Sequence, residues 1–445
     1  MGLKQKLYER EIKRWYNLIE HPVQRQLIED KTRFKVVPAG RRSGKTERAK
    51  RYIVKKAMQV VGDYFVAAPT RDQVKKIYWN DLKLLSFGSL LPKPPMESSL
   101  LLSYPNGSTL SLIGLDKPER IEGIFWSGGV VDEIGNTKPG AWKENIEPAL
   151  NTFNPNNPDY RAWCWLIGVP EGMNHYYDLA EYAKVSNDPD WRLYTWKSSD
   201  ILPPDVIESA KRSMSARLFR QEYEASFENA NGKVYEDYGQ ENIVHEEIRD
   251  HERLLWAHDF NFTPMSSCIG VVRDNRFLIL DEIILESAIS RQSALEFIEK
   301  FKNHQNKNVV IYGDPAGRAG EKHGHASDYT EMVEILARAG WSVERKIKNS
   351  APAIKDRQNS LRAKICNALG EHNLFVNPLK CPYTHKGLAT TQIKKGSTFI
   401  EEESDFQHIT TAIGYCVDYE WPIRVGEVTE YNENIPSVNY YNQRN

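Results

Sequence analysis

The sequence predicts an α/β protein of two domains in series, the first with a mostly parallel sheet and the second with a mixed sheet. Three observations carry this. A short apolar run, "FKVV" (Phe34 to Val37), leads into "PAGRRSGKT" and then a helix-forming stretch. A second apolar run, "SGGVVDEI" (Ser127 to Ile134), ends in paired acids about 90 residues after that loop. Beyond residue 250 come a strand, a hairpin, a helix and a further buried strand, with Asp259 and Asp314 at strand ends.

Composition sets the bounds. A chain of 445 residues, 40% hydrophobic and 27% charged, can bury real cores and divides into two or three domains. No apolar run approaches the roughly 20 residues that span a bilayer, and the polar, charged N-terminus does not read as a signal peptide. A soluble protein made in a cytoplasm is therefore expected. Cys164, Cys268, Cys366, Cys381 and Cys416 include no C-x-x-C pair and read as reduced thiols. The set Cys366, His372, Cys381 and His385 fits no standard zinc spacing. The net charge of -1 hides a block: residues 1 to 60 hold 17 Lys or Arg against 6 Asp or Glu. Such a block attracts polyanions or simply solvates helical faces, and charge alone favours the second.

The loop comes close to a phosphate cradle of the form G-x-x-x-x-G-K-[ST]. Counting back from Thr46 and Lys45 puts the second glycine at Gly44 and the first at a position held by Ala39. The flanks are right for it: a buried strand before, and "ERAKRYIVKKAMQVV" (Glu47 to Val61) after, a helix with apolar Ala49, Ile53, Ala57 and Val60. Backbone N–H groups from Ala39 and Gly40 through Ser43 and Gly44 to the helix start would hold phosphates, Lys45 would reach the β and γ oxygens, and Thr46 would hold Mg²⁺. Arg41 and Arg42, inside the cradle, are placed to neutralise transition-state charge in cis.

A phosphate cradle needs a partner strand ending in carboxylate. Gly129, Val130 and Val131 run into Asp132 and Glu133 with the continuity of a central parallel strand. Asp132 would serve the metal, through water or Thr46, and Glu133 would polarise the attacking water. Upstream, Gln24 lies 15 residues before Ala39, where a carboxamide could read adenine. In "LIGVPEGMNHYYDL" a strand ending at Ile167 leads to Gly168, Val169 and Pro170, a position from which loss of the γ-phosphate is passed on. Arg120, thirteen residues before Glu133, could act in trans from a neighbouring subunit.

Around residue 200 the chain changes character, with Pro203, Pro204, a helix rich in Arg and Glu, and the polar "ENANG". The expected division is 1–200 motor domain, 201–250 helical connector, 251–425 second catalytic domain and 426–445 tail. In the second domain "RLLWAHDFNF" is a strand, "SSCIGVVRDNRFLILDEIIL" a hairpin turning at Arg273, Asp274 and Asn275, "RQSALEFIEKFKNH" a helix and "NVVIYGDPAG" a strand. That is the ribonuclease H order, in which the first and fourth strands lie side by side and Asp259 faces Asp314. Neighbouring carboxylates repel unless a cation sits between them, hence Mg²⁺ or Mn²⁺. A third ligand is expected from "SDFQHITTAIGYCVDYEW", a helix with the apolar stripe Ile409, Ala412, Ile413 and Cys416. Asp405 is the candidate, with ordinary N-capping its competing role. His408 is placed to orient a ligand or the water, and Asp281 and Glu282 are the alternative ligands.

Taken in order, "AGRRSGKT", "VVDE", "GVPEGMN", "FRQEYEASF", "HDFN", "YGDPA" and "DFQHITTAIGY" resemble the large terminase subunit of tailed bacteriophages, from Gln24 to about Tyr419. The resemblance implies an ASCE-type ATPase with a ribonuclease H-like nuclease. It implies ATP with Mg²⁺ at the first site and Mg²⁺ or Mn²⁺ at the second. The implied partners are double-stranded viral DNA, a portal protein and a small terminase subunit, with a ring on the portal, a monomer free in solution, and host cytoplasm as the location. Ala39 matches the family's frequent lack of the first glycine. Two positions depart from it: Thr411 stands where many relatives have an aspartate, and Val169 where Thr is usual. A cellular helicase or repair nuclease lacks its expected motifs after residue 170, and a non-catalytic ATP-binding scaffold is the remaining alternative.

Overall fold

The computed structural model describes residues 12–16, 18–88, 91–151, 160–228, 232–260, 264–318, 327–394, 397 and 399–423. The chain folds into two compact units. One runs up to Ile207 and takes back Arg220–Asn229; the other holds Glu208–Phe219 and resumes at Ala230. The stretch 201–250, read as a connector, is thus divided between the two, and the 426–445 tail lies outside the described residues.

The first unit is built on seven strands: β1 Phe34–Pro38, β2 Asp63–Ala68, β3 Leu101–Ser103, β4 Thr109–Gly114, β5 Trp126–Asp132, β6 Trp163–Gly168 and β7 Trp191–Leu193. Their order is β3-β4-β2-β5-β6-β1-β7, parallel except for the β3–β4 edge. β6 lies between the loop strand β1 and the acid-bearing β5, which defines the ASCE arrangement. The central strands are buried on both faces, as apolar parallel strands must be. Side chains alternate: Val37 and Val66 join one core with Ala49 and Ile53, while Val36, Phe65 and Val131 join the other with Tyr176. The helices that matter here are α1 Pro22–Glu29, α2 Lys45–Gln59 and α3 His175–Val185. Ala49, Ile53 and Ala57 of α2 are buried, whereas Val60 ends the helix in extended backbone and is half-buried.

The helices α4 Pro204–Ser213 and α5 Ala216–Tyr223 carry the chain out of the first unit and back. The second unit has β8 Leu254–Asp259, β9 Met265–Arg273, β10 Arg276–Leu285, β11 Asn308–Gly313, β12 Ser342–Arg345 and β13 Leu374–Val376, in the order β12-β11-β8-β9-β10-β13. β8, β9 and β10 are antiparallel, β11 returns parallel beside β8, and the sheet is mixed. α6 Ser290–Lys300 and α7 Asp328–Arg338 cover one face through Phe297, Met332 and Leu336. α8 Ile354–Ile365, α9 Pro382–Thr390 and α10 Gln407–Glu420 cover the other, with Ile409, Ala412, Ile413 and Cys416 all in the core. Among the described residues no helix is long and apolar enough to cross a membrane, and the five cysteines are free.

Candidate functional site

The loop between β1 and α2 explains the missing glycine. Ala39 is extended, bridges Trp196 and donates its N–H to the Gly168 carbonyl at 3.2 Å, so this position needs no left-handed backbone. The close approach falls one residue later. A Cβ on Gly40 would stand 2.4 Å from Ser198 Oγ and 2.7 Å from the Tyr223 carbonyl. The Ser43 N–H (3.3 Å) and hydroxyl (2.5 Å) both reach back to the Gly40 carbonyl and tighten the curl. Arg42 (φ 57°) and Gly44 (φ 85°) are left-handed on either side of Ser43, and Gly44 opens α2. Alternating backbone of this kind aims successive N–H groups into one concavity, at the positive end of a helix.

Across from the loop, β5 delivers its carboxylates. Asp132 Oδ2 accepts the Thr46 hydroxyl at 3.0 Å and the Tyr78 phenol at 2.7 Å, and its Oδ1 accepts the Glu133 N–H at 3.0 Å. A hydroxyl and a carboxylate in contact across the cradle are the hard oxygen donors that Mg²⁺ takes, so these residues fit that ion. Glu133 follows in left-handed backbone, φ 51° and ψ 45°. Burial pushes its carboxyl up, with the Asp132 charge adding to this and Lys45 and Arg41 opposing it. The segment after β6 grips the same loop: Asn174 caps α3 and donates to the Gly135 carbonyl at 3.0 Å, and His175 Nε2 lies 2.9 Å from the Ile134 carbonyl. Val169, just after β6, is buried.

Three sequence expectations change here, those for Gln24, Arg41 and the basic block. Gln24, 2% exposed, donates to the Ser43 carbonyl at 2.7 Å and accepts from Arg48 Nε at 2.7 Å. Both ends of the carboxamide therefore brace the loop, and the adenine contact is not what this geometry provides. Arg41 pairs with Glu222 of α5 at 2.5 Å while its backbone N–H donates to the Glu222 carbonyl at 2.6 Å, so its guanidinium is engaged by a carboxylate rather than free in the cradle. Arg42 is exposed, and Arg120 sits in an exposed turn paired with Asp116 at 3.4 Å. The basic block is not one solvated face: Arg14, Lys50 and Arg51 turn inward onto Glu47 and Asp81.

In the second unit the register Gly313↔His258 makes Asp314 and Asp259 the next residues on neighbouring parallel strands. Asp259, 7% exposed, has His408 Nδ1 at 3.1 Å from Oδ2. Tyr415 of α10 lies within electrostatic reach of Asp314 and Asp259, with Arg357 over its ring at 5.0 Å. Burial pushes the Tyr415 phenol up to about 12, with Arg357 opposing and Asp314 and Asp259 adding. Arg357 also donates to the Thr411 hydroxyl at 3.3 Å. His258 points to the opposite face, between Trp256 and Phe260, and burial pushes its pKa down to about 3, leaving it neutral.

The third ligand is the correction. Asp405 is exposed; its carbonyl accepts from the Tyr383 hydroxyl at 2.9 Å, and Phe406, not Asp405, occupies the N-cap of α10 without a side-chain cap. The N-cap role is not filled, and among the described residues Asp405 forms no cluster with Asp259 and Asp314. The alternatives are engaged elsewhere. Asp281 pairs with Lys300 at 2.6 Å, and Glu282 accepts the Tyr383 and Thr384 N–H groups at 2.9 and 2.8 Å, anchoring the start of α9. Among the described residues no three His, Cys, Asp or Glu side chains close around one point. Two carboxylates on adjacent strand ends still suit a divalent ion in donor chemistry, with the imidazole of His408 against one of them. Sequence reasoning missed Tyr78, Asn174, His175, Glu222, Arg357 and Tyr415, whose neighbours lie far along the chain.

An ASCE-ordered sheet bearing a phosphate-type loop, followed by a mixed sheet with paired strand-end acids, defines the class: a two-part α/β chain of the kind seen in large terminases. Comparison with known proteins agrees. The large terminase of a thermophilic bacteriophage is matched over 92% of this chain and 98% of its own, with a TM-score of 0.57 at 15% identity. The same protein in complex with ATP-gamma-S gives 0.54 over 93% of this chain. In sequence, the chain is 24% identical over 217 residues to "Terminase, large subunit" of Escherichia phage T5, a match that spans 48% of each protein. The chain thus matches about half the length of that curated relative. No protein-family model matches the sequence. The resemblance read from the motifs is therefore met again in the fold.

Proposed function

We propose that this chain is the motor and nuclease of a phage DNA-packaging machine. ATP hydrolysis in the motor part, residues 1–200, drives double-stranded DNA into a procapsid, and the nuclease part, residues 251–425, cuts the concatemer. The observation that carries the reading is the Thr46–Asp132 contact at 3.0 Å across an ASCE sheet, in one chain with Asp259 and Asp314 side by side.

In the motor part the left-handed curl and the α2 start bind phosphate, and Lys45, buried at the first position of α2, neutralises it. Thr46 and Asp132 would hold Mg²⁺, which when bound offsets charge on the phosphate oxygens. Glu133, raised in pKa and held by strained backbone, orients and accepts a proton from water. Asn174 and His175, fastened to the loop after Glu133, pass its position to α3.

In the nuclease part Asp259 and Asp314 would hold Mg²⁺ or Mn²⁺, whose chemistry there is to activate water and stabilise a leaving oxygen. His408 orients Asp259, and Tyr415 lies close enough to Asp314 to feel its charge. Arg120, exposed, is the candidate to act from a neighbouring copy in a ring on the portal, with the small subunit and DNA as further partners.

The test separates the two activities. Lys45→Ala should abolish ATP hydrolysis and leave metal-dependent plasmid nicking intact, and Asp259→Asn should do the reverse. Strand separation by the wild-type chain would favour a helicase instead. Absence of turnover with intact nucleotide binding would favour a scaffold.

A further inference from the structure

The helical run after β2 is irregular where it passes the nucleotide site. It is α-helical over Arg71–Val74, a π-turn over Lys75–Trp79, and α-helical again over Asn80–Leu85. Its start is fixed by a capping box between Thr70 and Gln73. Its far end is fixed by Asp81, which pairs with Lys50 at 2.6 Å and Arg14 at 2.9 Å. One extra residue in a helical turn re-aims everything beyond it by about 100°, and such turns gather at functional sites because their poorer geometry has to be repaid by a specific contact.

The contact here is made by Tyr78. Its ring is fully buried, 0% exposed, beneath the Lys50 ammonium at 5.4 Å, and its hydroxyl donates to Asp132 Oδ2 at 2.7 Å. The same oxygen takes the Thr46 hydroxyl at 3.0 Å and the other takes the Glu133 N–H at 3.0 Å, so three donors from three segments fix one carboxylate. Thr46 and the Glu133 amide belong to the loop and the strand themselves. Of these three donors to Asp132, only Tyr78 comes from a separate element. Burial raises its phenol well above the ordinary tyrosine range, so it remains a donor.

We infer that Tyr78 is a positioning residue for the magnesium site of the motor: it holds the Asp132 carboxylate in the orientation that receives the ion. This rests on the ATPase reading proposed above. Partners one shell out from a metal, when removed, typically lower its affinity about 10- to 100-fold. Tyr78→Phe keeps the ring in its cavity and removes only the donor.

The expected result is a rise of about tenfold in the Mg²⁺ concentration at half-maximal ATP turnover, with turnover at saturating Mg²⁺ within about threefold of wild type. A second readout needs no catalysis: the Mg²⁺ concentration that half-saturates the thermal stabilisation of the chain by ADP should rise by the same factor. Binding of a fluorescent ADP analogue in EDTA should not change. A midpoint within twofold of wild type in the thermal titration overturns the inference. So does loss of turnover at saturating Mg²⁺ with an unmoved midpoint, which would put Tyr78 in the chemical step. Should Tyr78→Phe fail to fold, fluorotyrosine at 78, equal in shape and stronger as a donor, must move the thermal midpoint at least twofold, and an unmoved midpoint overturns the role. A wild-type chain that turns over no ATP sinks the ATPase reading, while the ADP–Mg²⁺ titration still decides Tyr78.

Discussion

Glu133 carries both strain and an unfavourable charge, so replacing it should make the protein inactive and more stable. Its backbone is left-handed, φ 51° and ψ 45°, a conformation that costs an L-residue roughly 1–2 kcal/mol. Glycine adopts it freely but gives back about 0.5–1 kcal/mol through the greater freedom of the unfolded chain, leaving a net gain near 1 kcal/mol. The side chain adds a second effect. Its carboxyl is raised above the ordinary value by burial, with Asp132 adding, so the folded state holds the proton more tightly than the unfolded one. That contribution favours folding only below the unfolded pKa and is lost as pH rises through the folded value. At neutral pH the charge opposes folding. Glu133→Gln removes the charge and keeps the strain; Glu133→Gly removes both. In a unit of this size 1 kcal/mol is worth about 2–4 °C. Scanning calorimetry without nucleotide should therefore order the motor transition as wild type, then Gln, then Gly, with Gly about 2–4 °C above Gln. Phosphate release should fall about 10²- to 10⁴-fold in both variants. A Gly variant that melts at or below the Gln variant refutes the strain argument, and wild-type turnover in either refutes the catalytic one.

The buried charge network on α2 gives a second expectation. Burial opposes ionisation of Glu47, yet Lys50, Arg14 and Arg51 hold its pKa down to about 2, against 4.5 for a free glutamate. The stability this represents, on the order of 3 kcal/mol, is present above the unfolded pKa and is lost as pH falls through about 2. Denaturant unfolding between pH 5 and 2 should show this acid dependence in wild type and lose much of it in Glu47→Gln, and equal slopes would contradict it. For the nuclease, Asp259→Asn and Asp314→Asn should lose plasmid cleavage by about 10²-fold or more, as expected when charges that hold a metal are removed. Asp405→Asn should cleave at the wild-type rate, since that side chain is exposed and meets neither the other acids nor the helix cap. Loss of cleavage in Asp405→Asn would restore it as a ligand. His408→Ala should slow cleavage while leaving ATP turnover unchanged, and an unaffected cleavage rate would remove His408 from the site.

Local chemistry determined much of this molecule. Apolar runs of strand length, a loop rich in Gly and Ser before a helix, and acids at the ends of buried strands all follow from neighbours in sequence, so β1, β5, β8 and β11 and the acids near them were legible. The stripe on α10 was legible for the same reason, since a helix presents residues three and four apart to one neighbour. What a polar side chain does once it reaches its place was not. Gln24 bracing Ser43, Arg41 held by Glu222, Tyr78 fixing Asp132 and Glu282 anchoring α9 join residues 19, 181, 54 and about 100 positions apart. Asp405 shows the reverse failure, a residue of the right type at the right place in the order whose backbone entry to the helix leaves its side chain in solvent. Hydrophobic burial depends on a repeating pattern, and a pattern is written in the sequence. A hydrogen bond depends on the meeting of two particular groups within about 3 Å, and only the folded chain decides which groups meet.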